Sequence, residues 1–260
     1  MDYPKILAKK EQLSSVWDTL PKEAVNSFNQ SFAIEYAHNS TAIEGNTLTL
    51  LQTKAVLEDG LSVGGKTLRE IYEVVNHNNA FEYVKDCVAR KKPLDEPIVK
   101  DIHTLLMENI LTGGIYRNVA VRIFGAGHKP PAPSEMYQQI KFFFADLPQK
   151  ATPLNPIELA AWTHAEFARI HPFVDENERT SRMIMNYQLM SAGFLPVSIA
   201  KENRLEYFEV LESYEVQGNL APFADMIAQL EEAQLDEYLS LAAPYLENAM
   251  QQEQDEGVEL

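Results

Sequence analysis

The sequence predicts a mainly α-helical fold, a helical bundle with one short β-hairpin flap. Apolar residues recur at three- and four-residue spacing along most of the chain, which lays them on one face of a helix. Glycines and an Asn-Pro pair punctuate those stretches. A single stretch, 115–124, alternates instead and is rich in β-branched residues.

Taken in order, helices are expected over 6–20, 24–37, 50–57, 68–88, 98–110, 136–147, 157–170, 179–191, 205–216 and 223–246. Gly60, Gly64 and Gly65 end the helix over 50–57 and open a turn. Gly113-Gly114 and residues 125–127 bracket the alternating run, which reads as a short hairpin or an extended flap. His128-Lys129-Pro130-Pro131-Ala132-Pro133 must follow as a helix-free connection, because proline fixes φ and carries no N–H. Asn155-Pro156, with Glu158 close behind, starts the helix over 157–170, and Gly193 closes the one over 179–191. There is no internal repeat, and the acidic, glutamine-rich residues 251–260 are expected to fray.

A chain of 260 residues, 45% apolar and 23% charged, is one large domain or a domain with an arm. One cysteine, Cys87, excludes a disulfide framework and a zinc cluster, and fits a reducing, cytoplasmic setting. Residues 1–20 lack the apolar core of a signal peptide, and no stretch is long and apolar enough to span a bilayer. The net charge of −16 argues against nucleic acid as a partner. It also requires any phosphate site to be locally basic against the global field.

Residues 171–182 carry the chemistry. Pro172 ends the preceding helix at His171, and periodic apolar residues resume at Met183, so a helix begins near Asn177 or Glu178. The free N–H groups and positive dipole end of that helix make an anion site. Arg179 and Arg182 are three apart, share a face, and can fork onto phosphate oxygens. Asp175 offers a hard oxygen ligand for Mg²⁺, and His171 can accept a proton near neutral pH. Phe173 is expected to plug into the core. A base, a metal ligand and a phosphate clamp together suit attack by a hydroxyl on a nucleotide phosphorus. Taken singly, each residue has an ordinary structural reading; the ordered set does not.

This segment resembles the signature of the Fic family, HPF-x-[DE]-GNGR-x-x-R, through His171, Pro172, Phe173, Asp175, Asn177, Arg179 and Arg182. Tyr116-Arg117 through Pro131 resembles the family's flap, and Asn203-Arg204, Tyr207, Leu211, Gly218, Asn219, Pro222 and Phe223 its C-terminal helices, so the likeness covers roughly 30–230. It implies transfer of AMP from ATP to Tyr, Thr or Ser hydroxyls of a target protein, or of the chain itself. His171 would be the base, Asp175 the Mg²⁺ ligand, and Asn177, Arg179 and Arg182 the phosphate binders. Arg122, Ile123 and Phe124 would hold the target segment in extended form. Residues 1–90 would form an N-terminal helical region, 91–225 the catalytic core, and 226–260 a C-terminal helix with an acidic tail.

Two signature glycines are here Glu176 and Glu178. Their side chains are expected to face solvent, leaving a loop that works through its backbone; the alternative is a weakened or altered site. Ser40-Thr41-Ala42-Ile43-Glu44-Gly45-Asn46 reads locally as a helix end, and resembles the family's inhibitory motif. Glu44 would then pair with Arg182 and take the space of the γ-phosphate, with Ser40 and Gly45 shaping that turn. His77, His103 and His164 are read as buried structural histidines, His77 with hydrogen-bonded nitrogens, and Met183, Met185 and Met190 as core fillers. Tyr207 and Asn186 are candidates to approach the nucleotide base, and the helix over 223–246 could serve core packing or a homodimer. The alternatives to an autoinhibited protein adenylyltransferase are another phosphate-linked donor, AMP removal with Glu44 positioning water, and a nucleotide-sensing regulator without turnover.

Overall fold

The computed structural model describes residues 2–123 and 127–256. Ten helices follow one another among them. They are α1 (Tyr3–Val16), α2 (Lys22–Ile43), α3 (Leu50–Asp59), α4 (Leu68–Ala89), α5 (Glu96–Leu106), α6 (Pro133–Lys150), α7 (Pro156–Ile170), α8 (Asn177–Ser191), α9 (Arg204–Gln217) and α10 (Ala221–Glu256). The start signal expected at Asn155 is in place, and two more caps accompany it. Asn155 accepts from the backbone N–H of Ile157 and Glu158 while the Glu158 side chain reaches back, and Thr49 and Thr67 build the same reciprocal cap with Gln52 and Glu70.

The pair α7–α8 forms the central wall. On one side Ile157, Ala161, Met185 and Leu189 pack with Ile6, Tyr207, Phe223 and Ile227 of α1, α9 and α10. On the other, Phe167, Ile170, Met183 and Tyr187 pack with Tyr36, Phe81, Ile102 and Phe143 of α2, α4, α5 and α6. Residues on both faces of α8 are therefore buried, and the polar ones among them must find partners inside the protein. Lys9 of α1 bridges Glu232 and Asp236 of α10, and Trp17 stacks on Tyr238 at 5.9 Å. No helix among the described residues is long and apolar enough to cross a membrane.

The hairpin is absent: no strand occurs among the described residues, and the run up to Ile123 is irregular. Its backbone is fixed by a side chain rather than by a ladder, through Arg117 as described below. Gly113-Gly114 has a role other than bracketing a hairpin. A Cβ on Gly113 would lie 2.5 Å from Thr104 Cα, so only glycine allows this close approach to α5. Two helices run further than their apolar periods suggest. Helix α2 continues through His38–Ile43, whose polar residues are buried against other elements, and α10 reaches Glu256, into residues expected to fray. Helix α5 stops at Leu106, short of the expected 110.

Candidate active site

Helix α7 ends because Pro172 cannot extend it, and His171 turns left-handed at φ 51° as its C-cap. Six residues later α8 begins at Asn177. Phe173 anchors the crossing: its ring is buried and stacks on His103 at 3.6 Å. The Phe173 N–H donates to Asn177 Oδ1 at 2.8 Å, and Asn177 Nδ2 donates to the Phe173 carbonyl at 3.1 Å. The Asn177 amide thus shapes the loop in this state. His103 braces it from below. The Gly114 N–H donates to His103 Nδ1, so the ring proton lies on Nε2, which donates to the Asp175 carbonyl at 3.1 Å. Burial pulls His103 down to about 4, keeping it neutral.

Arg117 completes the support. Its Nε donates to the His171 carbonyl at 2.7 Å, Nη1 to Val119 at 3.0 Å and Nη2 to Pro131 at 2.6 Å, while its own N–H donates to Pro172. One buried guanidinium ties the flap segment to the turn that carries His171. Replacing Arg117 with Met should cost about 3 kcal/mol, since carbonyls would be left without donors. Calorimetric melting should then fall by roughly 6–12 °C. A melting point within about 2 °C of the parent would remove Arg117 from this role.

The chemical groups line up along the loop. Burial lowers His171 to about 4, so its ring is neutral at pH 7, and Nδ1 lies 3.7 Å from Glu178 Oε1. Asp175 Oδ1 accepts from the Glu176 N–H and Oδ2 from Arg69 Nη2 at 2.7 Å. Burial pushes the Asp175 carboxyl up, but Arg69 and that N–H outweigh it and hold it below its ordinary value. Glu73, on the same helix as Arg69, accepts from Arg69 Nε at 3.0 Å and from Asn46 Nδ2 at 2.9 Å, and lies 3.5 Å from Arg179 Nη2.

Glu176 does not face solvent as expected. It is the left-handed N-cap of α8, at φ 60°, and its side chain is fully buried, 2.5 Å from Arg179 Nη2. The reason is geometric: the left-handed turn sends the side chain inward toward the buried Arg179. Burial pushes its carboxyl up to about 8 while Arg179 pulls it down; the 2.5 Å contact with a guanidinium that stays charged keeps Glu176 the anion of this pair. Glu178 is partly buried, and burial raises its carboxyl too.

Arg182 is buried and bonded at all three of its nitrogens. Nε donates to Ser40 Oγ and Nη2 to the Ser40 carbonyl, both at 2.9 Å. Nη1 donates to Tyr207 Oη at 3.2 Å, and Nη2 meets Glu44 Oε1 at 3.1 Å. Tyr207 lies beneath Arg182, fully buried, with its hydroxyl also against His164 Nε2 at 2.8 Å. Asn186 pairs with the Val197 backbone. Gly45 takes φ 102° just after Glu44, a turn that glycine makes without strain. His77 is buried as expected, but neither ring nitrogen has a hydrogen-bond partner among the described residues. Of the docking flap, Arg122 is exposed and Ile123 partly buried, and Phe124 lies outside the described residues.

A pocket of about 440 Å³ opens over the loop. Glu44, Glu70, Glu73, Asp175, Glu176 and Glu178 line it against only Arg69 and Arg179. The expected local excess of positive charge is therefore missing, and Arg182 lies below the lining with Glu44 on it. No group of three or more His, Cys, Asp or Glu side chains placed to hold a metal ion occurs among the described residues. Sequence reasoning missed Arg69, Glu73 and the bracing role of His103. Their only sequence signal is the i,i+4 Arg69–Glu73 pair, which is common on any exposed helix face.

Residues 93–189 match the model of the Fic/DOC family. A protein adenylyltransferase Fic of Nematostella vectensis is 35% identical over 249 residues, covering 93% of this chain and 56% of that protein. The protein of the same name in Drosophila persimilis is 32% identical over 235 residues, 89% of this chain and 45% of that protein. The chain spans about half the length of the curated relatives it matches. A Fic domain containing signaling protein from Bacteroides thetaiotaomicron superposes with a TM-score of 0.83 at 26% identity, covering 91% of this chain and 97% of that one.

Proposed function

The chain belongs to the Fic/DOC family, and from that premise we propose that it transfers AMP from ATP to a Tyr, Thr or Ser hydroxyl of a target protein or of itself, with Glu44 as a brake. Residues 91–225 are its catalytic core, preceded by the braking region 1–90 and followed by the C-terminal helix and tail, 226–260. The supporting observation is that the loop joining α7 to α8 lines a pocket large enough for a nucleotide, with Asp175 and Arg179 in its wall and neutral His171 just behind Glu178.

In the reaction, neutral His171 takes the proton of the incoming hydroxyl. The hydroxyl oxygen bonds to the α-phosphorus, the bond from that phosphorus to the bridging oxygen breaks, and pyrophosphate leaves. The N-terminus of α8, Arg179 and Arg182 hold the phosphates, once Glu44 has left Arg182. Asp175 fits magnesium, which asks for one or two carboxylates plus phosphate oxygens: its side chain is 39% exposed and lines the pocket. Bound there, the ion would neutralise phosphate charge. Arg122 and Ile123 hold the target segment extended.

Labelling with ATP carrying ³²P at either the α or the γ position tests this. The α label should stay on protein and the γ label should leave as pyrophosphate. Retention of the γ label would mean phosphoryl transfer instead. A second reading, a nucleotide-binding regulator without turnover, is favoured by the carboxylates of the pocket wall. Tight ATP binding with neither label retained would establish it.

A further inference from the structure

The position of Glu176 argues against a carboxylate. Its backbone lies at φ 60°, where a Cβ is strained. Its side chain is fully buried, and neither oxygen has an aligned hydrogen bond among the described residues. Asp175 and Glu73 add like charge nearby, and both raise its carboxyl. Glycine would remove the strain, the desolvation and the repulsion together. Among the described residues the favourable contact is with Arg179, itself buried, where the guanidinium needs a counterion. Strain of this kind, held on the wall of a pocket, points to a function at that wall.

The contact has a chemical meaning. A carboxylate against a guanidinium occupies the position a phosphate oxygen would take. Without it, a helix start flanked by Arg179 and Arg182 favours longer phosphate chains, because each added charge meets two cations. With it, the charge of Arg179 is already offset, and any added phosphate faces a carboxylate in a half-enclosed pocket where water screens poorly. Glu44 does something similar to Arg182, but from the end of α2, a segment separate from the loop. Glu176 belongs to the loop itself and stays when Glu44 leaves.

We propose that Glu176 is the phosphate-chain selector of this site: as a built-in anion on Arg179, it cancels most of the affinity an additional phosphate would contribute, so that ATP and ADP bind alike once Glu44 is withdrawn. This rests on the nucleotide-site reading above. It assigns to a residue in the place of a signature glycine a specificity role that a glycine cannot have.

Calorimetric titration with ATP and with ADP, each with Mg²⁺, decides the matter. The parent is the Glu44→Gly, His171→Ala protein, which opens Arg182 and cannot consume ATP by the proposed route. In it, ATP should bind within about threefold of ADP. Adding Glu176→Gly should make ATP tighter than ADP by about tenfold or more. Glu176→Gln keeps the volume and drops the charge, and should do the same; if the glycine variant fails to melt cooperatively, the glutamine variant decides. An unchanged ATP-to-ADP ratio in both variants overturns the proposal and leaves the transferase reading standing. A change with glycine but not with glutamine overturns it too, since backbone freedom would then be the cause. Failure of every variant to bind either nucleotide overturns the site reading together with it.

Discussion

Glu44→Gly is expected to raise self-labelling or target labelling from ATP by roughly 10- to 150-fold, the equivalent of one charge-assisted contact of about 1.5–3 kcal/mol. Arg182 has no other carboxylate partner within ion-pair distance among the described residues, and its remaining donors go to Ser40 and Tyr207. A phosphate that is to fork onto Arg182 must first displace Glu44, so removing Glu44 returns that contact to the nucleotide. The fold should tolerate the change. Glu44 is only the C-cap of α2, three neutral acceptors stay on Arg182, and burial already raises the carboxyl of Glu44, so the lost pair had itself been partly offset by desolvation. A drop of about 1 kcal/mol, or roughly 2–4 °C in melting temperature, is the expected structural side effect. Labelling no better than the parent in a protein that still melts cooperatively would show that Glu44 is a structural cap and not a brake.

The sequence made the line of the loop legible because its parts are local. Pro172 stops one helix, the resumption at Met183 starts the next, and the spacing of Arg179 and Arg182 follows within a turn. What it could not show is which way a side chain points at a left-handed residue. Glu176 was expected in solvent, where acidic residues at a helix start are favourable; its φ of 60° turns it inward onto Arg179. Long-range partners were illegible for the same reason. Arg117 reaches across to the carbonyl of His171, 54 residues away, and Arg69 to Asp175, 106 residues away, and nothing in their neighbours announces either contact. The polar residues His38–Thr41 carry no apolar period, so α2 is expected to stop at 37, yet Ser40 is buried against Arg182, which takes two acceptors from it. Buried polar groups are placed by partners that pattern reading does not see.

His171→Ala is expected to lower AMP transfer by about 10²- to 10⁴-fold while leaving nucleotide affinity in the Glu44→Gly background nearly unchanged, since a general base acts on the incoming hydroxyl and not on the phosphates. His171 sits at φ 51°, where alanine is strained, so His171→Asn, which tolerates that conformation, is the companion variant. Loss with both variants separates lost proton transfer from a distorted turn. The pH dependence follows from the same burial. Held at about 4, the imidazole is neutral across the physiological range, so the rate should stay flat as pH falls from 8 to about 5 and drop only as it nears 4, where the imidazolium can no longer accept a proton. Stability moves in the same window. The folded pKa lies below the unfolded value of 6.5, so the unfolded chain binds more protons between them, and this group's contribution, about 3 kcal/mol, is lost as pH falls from 6.5 to 4. Buried carboxyls such as Glu231, pushed up to about 8, act in the opposite sense, so the readout is the difference between parent and His171→Asn. The parent should lose more stability than the variant over that interval. Transfer by both variants within about threefold of the parent would take the proton-accepting role away from His171 and leave the pocket without its base.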